Sequence, residues 1–130
     1  MKFENLLCHF TDRHGGTSEG VYASNNLALH VKDDPVNVKE NRRLTCKALS
    51  INTDQLVSMD QVHGTQVRLV RGKCADAVPL CDGIMTDRKN IALMVLVADC
   101  TPVLIYDPVK EAIAQRSDRQ YHQNNGACHG

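Results

Sequence analysis

At 130 residues, with 42% hydrophobic and 23% charged residues, the chain has ordinary globular usage and the length of one compact domain, which excludes disordered and collagen-like classes. Fifteen basic residues balance fifteen acidic ones, and no basic stripe carries interleaved aromatics, so nucleic acid is not expected as a partner. No window approaches the roughly 18 apolar residues of a membrane span and the start has no sustained apolar segment, so no membrane association and a cytoplasmic location are expected.

With no Trp, two Phe and three Tyr, the core has to be mostly aliphatic. The six cysteines, Cys8, Cys46, Cys74, Cys81, Cys100 and Cys128, sit singly, and reduced thiols are expected. None of them forms a Cys-x-x-Cys pair, so metal ligands would have to be assembled across the fold.

In chain order, residues 3–10 mix apolar and polar positions as in a short strand. Thr11-Asp12-Arg13-His14-Gly15-Gly16-Thr17-Ser18 then supplies a dense cluster of turn formers. The alternation Leu27-x-Leu29-x-Val31 predicts another short strand. Asp33-Asp34-Pro35 is a helix start, with a carboxylate at the cap and proline suited to the first turn, and helix formers follow to about Leu49. Val38, Leu44 and Ala48 are expected toward its core side.

Residues 55–59 and 66–71 read as strands flanking Asp60-Gln61-Val62-His63-Gly64-Thr65, where glycine permits a tight turn. Residues 83–86 and 91–97 look like a hairpin-like pair, the second apolar throughout and therefore expected to be buried on both faces. Asp99-Cys100-Thr101-Pro102 breaks that run, and residues 103–106 resume extended structure before an Asp107-Pro108 turn. After Ala114 the chain is polar and aperiodic, which places a domain at 1–114 and a poorly ordered tail at 115–130.

Cys100 lies just past the apolar run, where strand ends commonly project side chains into a site, although a cysteine beside a buried strand can equally be a small core residue. His63, in its glycine-containing loop, is either a surface histidine or a functional one. With a second histidine, Cys100 and His63 would make a nitrogen and sulfur donor set suited to zinc, leaving one position open. Asp82, Asp87 and Asp99 add carboxylates near the same strand ends, where loop aspartates are more often solvated or capping. Arg13 and His14 could bring positive charge to a phosphate.

Resemblance adds more. Thr11-Asp12-Arg13-His14-Gly15-Gly16-Thr17-Ser18-Glu19-Gly20 resembles the opening motif S-T-R-x-G-G-V-S-x-G of the YfiH-like laccase-domain family, known both as polyphenol oxidases and as zinc-dependent purine nucleoside phosphorylases. Asn26-Leu27-Ala28-Leu29-His30-Val31 with Asp33-Asp34, Asn41-Arg42-Arg43-Leu44, Gln61-Val62-His63-Gly64-Thr65-Gln66-Val67, Cys81-Asp82-Gly83-Ile84-Met85-Thr86-Asp87 and Val97-Ala98-Asp99-Cys100-Thr101-Pro102-Val103 follow in family order, the last being similar to the highly specific T-A-D-C-x-P-V signature. The resemblance implies an α/β (α+β) fold with a mixed sheet flanked by helices. It implies phosphorolysis of adenosine, inosine and related purine nucleosides, with phosphate as co-substrate and adenosine deamination alongside. His63 and Cys100 become two of three zinc ligands, Arg13 and Asp99 join them in the catalytic set, and Arg13, Gln61 and Asp82 are expected at the substrate. Copper, from the older polyphenol oxidoreductase label, is the alternative metal; a laccase-type site needs several His-x-His pairs, which this chain lacks.

The third ligand of the family is the histidine of a H-A-G-W-R-G motif just after the strand matching residues 111–114, and here the chain reads Gln115-Arg116-Ser117-Asp118. His122 and His129 lack that motif and take no ligand role. A shortened form of the family domain is therefore expected, by frameshift or truncation in preference to a natural short paralogue. It is also expected to expose strand edges around residues 91–97 and 103–106 and to self-associate through them. A non-catalytic nucleoside-binding or partner-binding module, and a cysteine hydrolase with Cys100 as nucleophile and His63 as base, are the alternatives of other classes.

Overall fold

The computed structural model describes residues 4–118, and they fall into two compact units divided between Ala48 and Leu49, where length alone leads to one. The expectations for residues 119–130, including His122, Cys128 and His129, lie outside the described residues.

The first unit is built on helix α1 (Pro35–Ala48). It starts where the cap residues direct it: the Asp34 carboxylate accepts the Val36 N–H at 2.9 Å, and Pro35 fills the first helical position, which needs no donor. Lys47 in the last turn faces the negative end of the helix. The buried positions are Val38, Asn41 and Cys46. Of the expected core side Val38 is buried, Leu44 is half-buried and Ala48, the last helical residue, is exposed.

Asn41 is fully buried inside the helix and serves the chain that precedes it. Its Oδ1 accepts the Thr17 N–H at 2.6 Å and the Thr17 hydroxyl at 3.1 Å, while its amide donates to Ser18 Oγ at 2.9 Å and the Asn26 carbonyl at 2.8 Å. Ser18 in turn donates to Asp33 at 2.6 Å. The loop packs so closely that a Cβ on Gly16 would overlap the Ser24 carbonyl oxygen and the Asn25 Cα, both backbone. These polar ties replace the two short strands expected here. Residues 4–10 form none, and the 27–31 alternation turns Leu29 outward while the Leu27 carbonyl accepts Arg42 Nε at 2.9 Å.

Among the described residues the second unit contains six strands, β1 (Leu56–Val57), β2 (Val67–Leu69), β3 (Gly83–Thr86), β4 (Ala92–Leu93), β5 (Thr101–Asp107) and β6 (Ala112–Asp118). β1 and β4 form a two-stranded parallel sheet; the other four form a mixed sheet in the order β2-β3-β6-β5, parallel between β2 and β3 and antiparallel elsewhere. The expected mixed α/β class is what the chain adopts.

Further expectations are corrected in this unit. β3 forms as expected but does not pair with the apolar run that follows it; that run turns away at Asn90 (φ 64°) and runs beside β1, with Met94 N donating to the Val57 carbonyl at 2.8 Å. A two-residue ladder covers little, so residues 91–96 are half-buried instead of enclosed on both faces. The second correction concerns Ala114, expected to end the ordered chain: β6 runs past it through Asp118, between β3 and β5. Pairing on both edges satisfies its backbone groups, and that non-local gain overrides the weak strand preference of Gln115-Arg116-Ser117. Pro102, read as a break, lies within β5, an edge strand, where a missing N–H is tolerated.

The core of this unit is Val57, Met59, Val70, Cys81 and Ile84, with Val78, Ile91, Leu93 and Val95 packed against it. Each aliphatic side chain buried so completely contributes about 1.5–3 kcal/mol over its exposed state. Strand alternation turns Ile84, Thr86 and Ser117 inward and leaves Val67, Leu69, Met85, Val103 and Ile105 exposed on the other face of the four-stranded sheet. Among the described residues no helix is long and apolar enough to cross a membrane, and the cysteines are free thiols.

Candidate functional site

The loop between β1 and β2 carries Gln61 and His63. It is fastened at its start by the Asp60 N–H, which donates to the Val78 carbonyl at 2.8 Å, and by the Asp60 carbonyl, which accepts the Cys81 N–H at 3.2 Å. Gln61 Oε1 accepts the Leu96 N–H at 3.3 Å, so this side chain ties the apolar run to the loop. His63 is exposed and has φ 60°, a left-handed conformation that costs a histidine roughly 1–2 kcal/mol.

Asp82, just before β3, is 1% exposed. Its Oδ1 accepts the N–H groups of Val62 at 3.1 Å and His63 at 2.7 Å, and its Oδ2 accepts that of Gly64 at 2.5 Å. The carboxylate expected at the substrate is therefore directed at the backbone of the His63 loop. Its burial demands such partners, since an unpaired buried carboxylate would cost several kcal/mol. The main chain of Asp82 is held as well, its N–H donating to Gln66 O at 3.0 Å and its carbonyl accepting Ser117 N–H at 3.0 Å.

The sheet register gathers these groups with Cys100. Gly83 pairs with Val67 on one side and Arg116 on the other, and Arg116 pairs with Val103. The starts of β2, β3 and β5 and the end of β6 thus lie at one end of the sheet. The His63 loop leads into β2, Asp82 into β3, and half-buried Cys100 into β5. β3 and β5 are two strand spacings apart, on the order of 10 Å. Asp99, beside Cys100, is exposed, and so is Asp87, beyond the far end of β3.

Arg13 and His14 belong to the first unit. Arg13 Nε and Nη2 donate to the Ala23 carbonyl at 3.2 and 3.0 Å, and the Arg13 carbonyl accepts the N–H groups of Ser24 and Asn25. His14 N donates to the Asp12 carboxylate at 2.8 Å. Among the described residues no group of three or more His, Cys, Asp or Glu side chains is placed to hold a metal ion. The loop-anchoring role of Asp82 was not foreseen, because an aspartate accepting backbone donors looks in sequence like one facing a ligand. The only local hint is the Gly64 that follows His63.

The chain matches, over residues 7–116, the family described as multi-copper polyphenol oxidoreductase laccase. It is 47% identical over 102 residues to a purine nucleoside phosphorylase of Streptomyces griseus, covering 77% of this chain and 42% of that protein. A purine nucleoside phosphorylase of Streptomyces coelicolor is 44% identical over 106 residues, with 81% and 44% covered. The crystal structure of YlmD from Geobacillus stearothermophilus superposes with a TM-score of 0.79 at 33% identity, covering 82% of this chain and 42% of that one. The Bacillus licheniformis protein YfiH gives 0.77 at 32% identity, with 82% and 43% covered. The chain thus spans less than half the length of these relatives, and it belongs to the multi-copper polyphenol oxidoreductase laccase family with the fold of YlmD and YfiH.

Proposed function

We propose that this chain is a portion of a zinc-dependent purine nucleoside phosphorylase, acting on adenosine, inosine and related nucleosides with phosphate, and deaminating adenosine as a second activity. The observation that carries this reading is the sheet register that brings the His63 loop and Cys100 to one end of the second unit. Support comes from the Streptomyces relatives named for that activity. In phosphorolysis a phosphate oxygen forms a bond to C1′ of the ribose while the C1′–N9 bond breaks, and the purine leaves with a proton on nitrogen.

The donor chemistry of an imidazole and a thiolate suits zinc, and this reading takes two ligands from the described residues, short of the three protein ligands usual for a catalytic site. His63 and Cys100 would hold the ion, which when bound supplies Lewis acidity. Asp82 keeps the His63 loop in place, and Asp99 lies beside Cys100. The family description favours a copper oxidase by name only. Self-association through β5, an edge strand with Ile105 62% exposed, belongs to the same proposal, with a second copy as its occupant; light scattering of an Ile105→Lys variant checks it.

The test incubates the chain with inosine and phosphate and follows hypoxanthine release, alone and as a chimaera carrying the remaining length of the Streptomyces griseus relative. Turnover that His63→Ala or Cys100→Ala abolishes, and that chelation removes, supports the reading. Turnover indifferent to both substitutions would sink it. Covalent labelling of Cys100 coupled to chelator-independent hydrolysis would instead establish the cysteine hydrolase.

A further inference from the structure

We infer that Asp82 is a positioning residue whose carboxylate holds His63 in the backbone conformation from which the imidazole is presented; its functional weight rests on the reading of His63 as a ligand, while the anchoring itself does not. Three consecutive N–H groups, those of Val62, His63 and Gly64, converge on one carboxylate that is almost wholly buried. Three successive donors can face one point only if the chain between them curls tightly, and His63 adopts φ 60° to do so.

A loop needed only to reverse direction would use glycine there at no steric cost. Here a histidine occupies the left-handed position, and the offsetting energy comes from charge-assisted hydrogen bonds, which are roughly twice as strong as neutral ones. The backbone passes close to the carboxylate here: a Cβ on Gly64 would lie 3.4 Å from Asp82 Oδ2.

Asp82 is also a firm point to anchor to. Its neighbours Cys81, Gly83 and Ile84 are buried, its N–H is bonded to Gln66 and its carbonyl to Ser117 of β6. The imidazole therefore inherits the rigidity of the sheet through a side chain that need not touch the substrate.

The test uses the full chain, isotopically labelled, with Asp82→Asn and Asp82→Ala. Asparagine keeps an oxygen for Val62 and His63 but turns an amide N–H toward that of Gly64. Amide exchange of Gly64 should then rise by about tenfold or more while Val62 and His63 change less, and Asp82→Ala should release all three. Amides of Val70 and Ile84 should keep their protection in Asp82→Asn. Cobalt(II) is the metal probe, and loss of the anchor should weaken its uptake by about 10–100-fold, the usual cost of removing a group that orients a ligand.

Unchanged exchange at all three amides in Asp82→Asn, or equal loss of protection at the loop and at Val70 and Ile84, would overturn the proposal. If the parent chain takes up no cobalt, the zinc reading falls, and the graded exchange pattern alone upholds or overturns the anchor. Should Asp82→Ala fail to fold, Asp82→Asn carries the test by itself.

Discussion

The two units are held together by different forces. Around α1 the buried set is Ser18, Leu27, Val38, Asn41 and Cys46, and its centre is an asparagine with four hydrogen bonds. In the second unit the centre is the apolar cluster of Val57, Met59, Val70, Cys81 and Ile84, with the hydrogen-bonded Asp82 and Thr86 buried beside it. A polar centre is directional and fails when one partner is removed; an apolar centre is non-directional and fails in proportion to the volume lost.

The sharpest way to break the contrast is Ile84→Ala, which should cost about 2–5 kcal/mol in a denaturant titration of the second unit. A loss below 1 kcal/mol would show that Ile84 is less enclosed than its geometry indicates. Next comes Asn41→Ala, expected to cost about 1–3 kcal/mol by leaving the Thr17 N–H and the Asn26 carbonyl without their partner. Exchange of the Thr17 amide measures it, and unaltered protection there would remove Asn41 from the centre of the unit.

Acid provides a gentler probe. Hydrogen bonds from Asn26 and then Ser18 hold the Asp33 carboxyl below its ordinary pKa, against a smaller opposing effect of burial. A depressed folded-state pKa means that this contribution is complete above the ordinary carboxylate range and disappears as the pH falls through the lower, folded value. The Ser18 and Asn26 resonances should therefore shift on acidification, and Asp33→Asn should flatten that dependence.

The smallest effect sharpens the comparison most finely, because each unit has one buried thiol among the described residues. Burial pushes both the Cys46 and the Cys81 thiols up, so both should alkylate more slowly than exposed Cys8 at neutral pH. Ile84→Ala should hasten labelling of Cys81 and leave Cys46 as it was, and Asn41→Ala should do the reverse. Equal acceleration of both thiols in either variant would mean that the units do not open separately.

What was legible in the sequence was local. Asp34-Pro35 marked the helix because cap chemistry acts over two or three residues, and β3 emerged with its bounds because its neighbours on either side are turn formers. The sheet order was not legible: β3 finds its partners at Val67 and Arg116, and nothing in Gly83-Ile84-Met85-Thr86 names them. The apolar run after Asn90 was mistaken for a fully enclosed strand because hydrophobicity reports a tendency to be covered, not how long a ladder is present to cover it. At the candidate site, motif resemblance is what singled out Gln61, His63 and Cys100 as positions. The bond from Asp82 to the His63 loop was not legible, since its acceptors and donors are separated by some twenty residues and half of each is backbone.

β6, the last strand in chain order among the described residues, is also an inner strand of its sheet, and that ordering constrains synthesis. β3 emerges from a ribosome well before the strand it pairs with on that side, so its edge stays open until Asp118 has cleared the exit tunnel. The β5–β6 hairpin is the local event and can close in microseconds; docking onto β3 closes a far longer loop. Nascent chains arrested before β6 should accordingly be protease-sensitive at β3 and prone to capture by chaperones that bind unpaired strands, and release of the chain from the ribosome should abolish both signs together.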